Sequence, residues 1–220
     1  MVNAISTVVG EAPEGHQNMY LRTVSGNNGY LYCIPYRARR VAKFNPADKA
    51  ITDIGPDLGD GAVWYIGAMT DSGVIYCPPD SSNRGILKIV TNTDTVTELD
   101  RNLLPEQGYD MWTSCAAALD GYIYCMPLYA RRIMKLDPND AISSVGDDLG
   151  GEHGKYSGTV VGIDGCVYGI PRYSKRIIQY DPIKNDTTSN VGEEADVHIF
   201  CKGNGALRRD GCIYAITWQG

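Results

Sequence analysis

The sequence predicts an all-β fold, a five-bladed β-propeller of four-stranded antiparallel blades, and three observations carry that reading. The motif DGYIYCMP at residues 120–127 recurs as NGYLYCIP from Asn28, SGVIYCPP from Ser72, DGCVYGIP from Asp164 and DGCIYAIT from Asp210. Its glycines, Gly29, Gly73, Gly121, Gly165 and Gly211, stand about 46 residues apart, a period that propeller blades share. Within each unit the apolar residues follow strand patterns and not the 3.6-residue spacing of helical repeats.

Each unit reads as four strands. The first is rich in small residues (WYIGAMT, WTSCAAAL, YSGTVVGI), as expected where inner strands converge on a central channel. An Asp-Gly or Asn-Gly turn follows, supplying the positive φ that a tight hairpin demands. The second strand is the motif itself, apolar on both faces and so sandwiched between blades. Its tyrosines, Tyr32, Tyr76, Tyr124, Tyr168 and Tyr214, are expected in the core; five ligand-stacking rings are the alternative. The third strand (RVAKFNP, GILKIVT, RIMKLDP, RIIQYDP) alternates apolar and polar residues, and Pro46, Pro138 and Pro182 end three of the four copies. The fourth (AITDIG, TVTELD, AISSVG, TTSNVG) is outermost.

Residues 1–220 are expected to form one domain, because a single blade cannot bury both faces of its sheet and radial repetition does. The last copy stops before a third strand, while NAISTVVG near the N-terminus matches the fourth strand of the other units. The fifth blade is therefore expected to be stitched from both ends of the chain, with one outer strand unaccounted for.

Composition narrows the function classes. A net charge of −6 argues against nucleic acid as a partner. No apolar run reaches the ~18 residues of a membrane helix, and the N-terminus lacks the basic and apolar regions of a signal peptide. Of seven cysteines, five (Cys33, Cys77, Cys125, Cys166 and Cys212) fall at repeated positions too far apart for disulfides, and no zinc spacing appears. Free thiols and a cytoplasmic location follow.

The stretch DGYIYCMP…ARRIMKLDPNDAISSVG resembles the blades of streptogramin-lyase-like and NHL-like propellers, with kelch repeats more distant because no Gly-Gly doublet recurs. The resemblance spans the chain and implies the fold. Lyases of this kind use a histidine and acidic residues with a divalent metal, but no local motif here matches those residues, so no catalytic position transfers.

In a propeller, the fourth-to-first and second-to-third strand loops emerge on one face, here termed the top. The former are acidic (GPDLGDG, LPEQGYD, GDDLGGEH), the latter basic (YRARR, SSNRG, YARR, YSKR). Arg40, Arg132 and Arg176 are expected either to pair with neighbouring carboxylates and lock blade to blade, or to form a docking surface for an acidic peptide or phosphate. Trp64 and Trp112, with Tyr109, are candidates to stack on a ligand at the top rim. Trp64, Trp112, Tyr156 and Tyr20 also sit nine residues before an anchor glycine, which points to packing at strand starts. His16, His153 and His198 lie in loops of blades that adjoin in a closed ring, with Glu14, Glu152 and Glu194 nearby; they are the candidate metal or acid/base set. No GxSxG, HExxH or P-loop is present.

The function expected from the sequence is a non-catalytic binding module that uses the top-face loops, with a protein or peptide as partner and a small molecule or sugar as the alternative ligand. No cofactor is expected. The competing readings are a metal-assisted lyase or hydrolase at the channel mouth, which would need a divalent metal, and a lectin-like carbohydrate binder.

Overall fold

A computed structural model describes residues 19–61, 63–80, 83–184, 186–194 and 205–216. Four antiparallel sheets follow one another along the chain, each with its strands in sequence order. Blade 1 comprises β1 (Tyr20–Ser25), β2 (Leu31–Pro35), β3 (Val41–Phe44) and β4 (Ile51–Ile54). Blade 2 comprises β5 (Ala68–Met69), β6 (Val74–Cys77), β7 (Leu87–Val90) and β8 (Thr95–Glu98). Blade 3 comprises β9 (Ser114–Ala117), β10 (Ile123–Met126), β11 (Ile133–Leu136) and β12 (Ile142–Val145). Blade 4 comprises β13 (Tyr156–Val161), β14 (Val167–Pro171), β15 (Ile177–Tyr180) and β16 (Thr188–Val191). A two-stranded sheet follows, β17 (Ala206–Leu207) and β18 (Ile213–Tyr214). The fourth-strand match at residues 3–9 lies outside the described residues.

The turn chemistry matches the geometry: all five anchor glycines have φ between 78° and 87°, which L side chains adopt only at a cost. Three apolar clusters fill the blade interfaces. Val41 and Tyr32 of blade 1 meet Ile75, Leu87 and Ile89 of blade 2. Tyr76 and Ile86 meet Met134 and Leu136 of blade 3. Tyr124 and Ile133 meet Val167, Ile178 and Tyr180 of blade 4. Beyond blade 4 the pattern thins to Val160 and Ile170 against Ile213.

A polar latch crosses the same interfaces. The loop between third and fourth strands places an aspartate in the left-handed region, Asp94 (φ 54°), Asp140 (71°) and Asp186 (50°). Asp94 accepts from Tyr32 Oη at 3.2 Å and Lys43 Nζ at 2.7 Å, both on blade 1. Asp140 accepts from Tyr76 Oη at 2.6 Å and Lys88 Nζ at 2.7 Å, both on blade 2. Asp186 accepts from the Gly146 amide of blade 3 at 3.1 Å.

The tyrosine expectation needs one correction. Tyr32, Tyr76 and Tyr124 are buried, but Tyr168 is half-buried and Tyr214 is 55% exposed. The following blade is what covers each ring. Only β17–β18 follow blade 4 among the described residues, which leaves the Tyr168 ring half-buried; its hydroxyl donates to Asp164 of its own turn at 2.6 Å, as that of the covered Tyr124 does to Asp120 at 2.7 Å.

Candidate functional site

The top face is built by one repeated set of hydrogen bonds. Second-to-third strand loops donate backbone N–H groups to the segment that leads into their own blade's first strand: Tyr36, Arg37 and Ala38 to Met19 O, and Leu128, Tyr129 and Ala130 to Met111 O. Aromatic residues at the strand starts reach the far end of that loop. Tyr20 Oη donates to Arg40 O, Trp64 Nε1 to Gly85 O and Trp112 Nε1 to Arg132 O, at 3.3, 3.0 and 3.0 Å. These are the aromatics spaced nine residues before the anchors. Trp64 and Trp112 are 0% and 1% exposed, so neither presents a face to a ligand; burying an indole is favourable once its N–H has an acceptor.

The arginines hold the same face differently from expectation. Arg40 Nη1 donates to Gly55 O and Arg132 Nη1 to Gly146 O, both carbonyls at the end of their own blade's fourth strand. They therefore tie each blade internally and do not lock blade to blade through carboxylates. The residue before each takes the carboxylate: Arg39 pairs with Asp57 and Asp60, and Arg131 with Asp148. Arg176 does reach a carboxylate, Glu194 at 3.3 Å alongside Lys175, but one that follows its own blade's fourth strand. The Arg39 and Arg131 bonds hold the Asp57 and Asp148 carboxyls below the usual carboxylate range.

His16 and His198 lie outside the described residues. His153 packs edge-on against Tyr129, with centroids 5.0 Å apart, and Glu152 uses its backbone carbonyl to accept from the buried Lys155 Nζ at 2.8 Å. Among the described residues no group of three or more His, Cys, Asp or Glu side chains could hold a metal ion. His153 and Glu152 alone do not make such a group, and no catalytic step is derived from one.

Of what the structure does bring together, only Tyr109 was singled out from the sequence. A top-face cavity of about 860 Å3 opens between blades 1 and 2, lined by Tyr36, Arg37, Asp60, Val63, Asp80, Asn83, Arg84 and Tyr109, among others. The Asp80 N–H donates to Val63 O and the Asp110 N–H to Asp80 O, at 3.0 and 3.2 Å, so three loops meet at Asp80. Asp110 is held at φ 52°. Tyr65 stacks on Tyr36 behind the wall, with centroids 5.4 Å apart. Arg84 is committed to Glu98 and to Leu58 O, whereas Arg37 leans over the Tyr36 ring at 5.8 Å. The Asp80 Oδ1 is buried without a donor. Burial, then the Asp110 carboxyl, push Asp80 up to about 8, against the opposing Tyr65 hydroxyl. The available signal was Asp80 standing where the other copies carry Tyr36, Leu128 or Arg172.

A raised carboxyl in the folded state means that the native protein binds the proton more tightly than the unfolded chain does. Stability is then greatest below pH ~4 and is lost as pH rises toward 8. Asp80→Asn removes this loss. After discounting for solvent screening, the gain is about 1 kcal/mol at pH 8.5, or ~2–4 °C in Tm. The margin is expected to vanish below pH ~4; melting curves at pH 8.5 and pH ~3.5 check it.

No family model matches the sequence, and no curated protein aligns with it significantly. Solved structures do match. Virginiamycin B lyase from Staphylococcus aureus superposes with a TM-score of 0.69 at 13% identity, over 90% of this chain and 69% of that one. A streptogramin B lyase gives 0.68 at 13%, over 90% and 68%. The extracellular domain of a putative hybrid two-component system from Bacteroides thetaiotaomicron gives 0.67 at 15%, over 93% of this chain and 26% of that one. At these identities the likeness shows the fold, a streptogramin-lyase-like β-propeller, and nothing finer.

Proposed function

We propose that the chain is a non-catalytic binding module on a five-bladed propeller scaffold, and that it takes a polar group of a peptide or small-molecule ligand in the cavity between blades 1 and 2. The observation that supports this reading is the cavity itself. It is concave, it carries aromatic rings beside convergent polar side chains, and it adjoins a carboxyl with a raised affinity for protons. Arg40 and Arg132 serve backbone carbonyls, so the ligand contacts fall on Arg37, Asn83, Tyr36 and Tyr109, the last 65% exposed. The six described cysteines are free, which fits the reducing compartment expected from the sequence. No helix of the described residues is long and apolar enough to cross a membrane.

A thermal-shift screen of short peptides, saccharides, organic acids, nucleotides and divalent metals tests the reading. A ligand at ~100 times its Kd adds about 2.7 kcal/mol of stability. The hit is expected to weaken at least tenfold in Tyr109→Ala and Asn83→Ala, two exposed changes that leave the fold intact. It should persist in an Arg40→Gln, Arg132→Gln double variant. A flat screen, or a hit indifferent to Tyr109 and Asn83, overturns the cavity as the site.

A further inference from the structure

Blade 3 departs from the repeat at one position of its inner hairpin. The second-strand residue four beyond each anchor glycine is Cys33, Cys77, Cys125, Gly169 or Ala215. On the first strand, Thr23 stands beside Cys33 and Thr159 beside Gly169. Gly67 stands beside Cys77, where a Cβ would meet the Cys77 Sγ at 2.6 Å. In blade 3 the same position is Cys115, directly opposite Cys125 across β9 and β10. Among the described residues, no other strand pair sets thiol against thiol.

The pairing register fixes how close the two come. The Ala118 N–H donates to Tyr122 O at 2.9 Å, so residues 118 and 122 form a hydrogen-bonded pair. Such pairs alternate with non-hydrogen-bonded ones along an antiparallel ladder. Ala116 and Tyr124 are therefore bonded, and Cys115 and Cys125 are not. In a non-hydrogen-bonded pair the Cα atoms stand about 4.5 Å apart with both side chains on one face. That separation falls inside the roughly 4.4–6.8 Å window of a disulfide. Both cysteines belong to the apolar cluster between blades 2 and 3.

Their surroundings differ. Cys77 and Cys125 are 0% exposed and Cys115 is 4% exposed. Burial pushes the Cys77 and Cys125 thiols well above their ordinary range, which keeps them protonated and unreactive on their own. Cys115 is the least enclosed of the three, and its Sγ donates to Tyr76 O at 3.9 Å across the blade interface.

We propose that Cys115 and Cys125 form a reversible redox pair, which a peroxide converts to a disulfide within blade 3. The Cys115 sulfur attacks one oxygen of hydrogen peroxide, the O–O bond breaks, and the second oxygen leaves as water with the thiol proton. The Cys125 sulfur then attacks the sulfenic acid on Cys115, forming the S–S bond and expelling the sulfenic oxygen as a second water. The two sulfurs give up two electrons, and one peroxide is reduced to two waters. Exchange with a reduced dithiol returns both thiols. The pair lies apart from the top-face cavity, and the two readings stand or fall separately.

The full chain, treated with hydrogen peroxide under native conditions, is capped with iodoacetamide and digested with trypsin without reduction. No Lys or Arg lies between 102 and 130, so both cysteines fall in the peptide 102–131. That peptide is expected to lose two hydrogens and take no cap, at least tenfold faster than Cys77 is oxidised. Cys115→Thr, which borrows the residue found at positions 23 and 159, should leave Cys125 capped; Cys115→Ala serves if that variant fails to fold. Cys125→Ala should leave Cys115 as a sulfenic acid that dimedone traps. The oxidised chain should keep its melting transition and regain both caps after dithiothreitol. Caps retained on both cysteines, or a cross-link from 102–131 to the Cys77 peptide 50–84, overturns the pair. Loss of the melting transition on oxidation would assign the chemistry to unfolded chains and overturn it equally.

Discussion

Gly85→Ala is expected to destabilise the protein by at least ~3 kcal/mol, the upper range of overpacking, and to lower Tm by roughly 6–12 °C. A Cβ at Gly85 would stand 1.7 Å from the Leu99 carbonyl oxygen and 2.9 Å from its carbon. Both are backbone atoms, and the Leu99 N–H is itself bonded to Ile86 O at 2.9 Å. Relief therefore requires parting β7 from β8, and two further bonds depend on that geometry. The Gly85 N–H donates to Glu98 Oε1 at 2.7 Å, and its carbonyl accepts from the buried Trp64 indole. Gly108→Ala is the contrast. Its Cβ would meet Met111 Cε at 2.3 Å, the tip of a flexible side chain, so a loss below ~1 kcal/mol is expected. Thermal or urea melts of the two variants check the claim; equal losses would show that the Leu99 backbone yields.

Gly85 also marks where the repeat stops being informative. It stands where the other units carry Arg40, Arg132 and Arg176, and nothing in the sequence says why blade 2 departs. Strands, turns and blade order were legible because they repeat: an Asp-Gly turn or an Ile-Tyr strand needs only local chemistry. The strand-start aromatics were legible for the same reason, since equal spacing from the anchor glycine implies equal packing. The cavity was not, beyond Tyr109 as a rim aromatic, because Asp80, Asn83 and Tyr109 are departures from the repeat whose meeting depends on how three loops approach. Pairing of Arg39 and Arg131, in place of Arg40 and Arg132, turned on a one-residue register within a loop. No pattern of charge along the chain fixes that register.

The latch aspartates show the intermediate case, a repeat visible in sequence whose role only the packing reveals, and Asp140 yields the second large effect. Its carboxylate accepts from Tyr76 Oη and Lys88 Nζ across the interface of blades 2 and 3. The side chains of Lys88 and Asp140 are 19% and 33% exposed, so the pair is screened less than a surface bridge. Asparagine tolerates the left-handed backbone at φ 71°, which makes Asp140→Asn a change of charge more than of conformation. It leaves a partly buried ammonium without its counterion, and a loss of about 2–3 kcal/mol is expected at pH 7. Adding Lys88→Met should recover most of it, because the cost lies in the stranded cation. The pH dependence separates this from a packing defect. Burial works against ionisation of Asp140, but the Lys88 and Tyr76 bonds outweigh it and hold the carboxyl below its usual range. A carboxyl lowered in the folded state stabilises above its unfolded value near 4, and that contribution is lost as pH falls through the folded value. The parent and Asp140→Asn should therefore differ most at neutral pH and converge below pH ~3. A gap that persists in acid would assign the loss to packing and not to the latch.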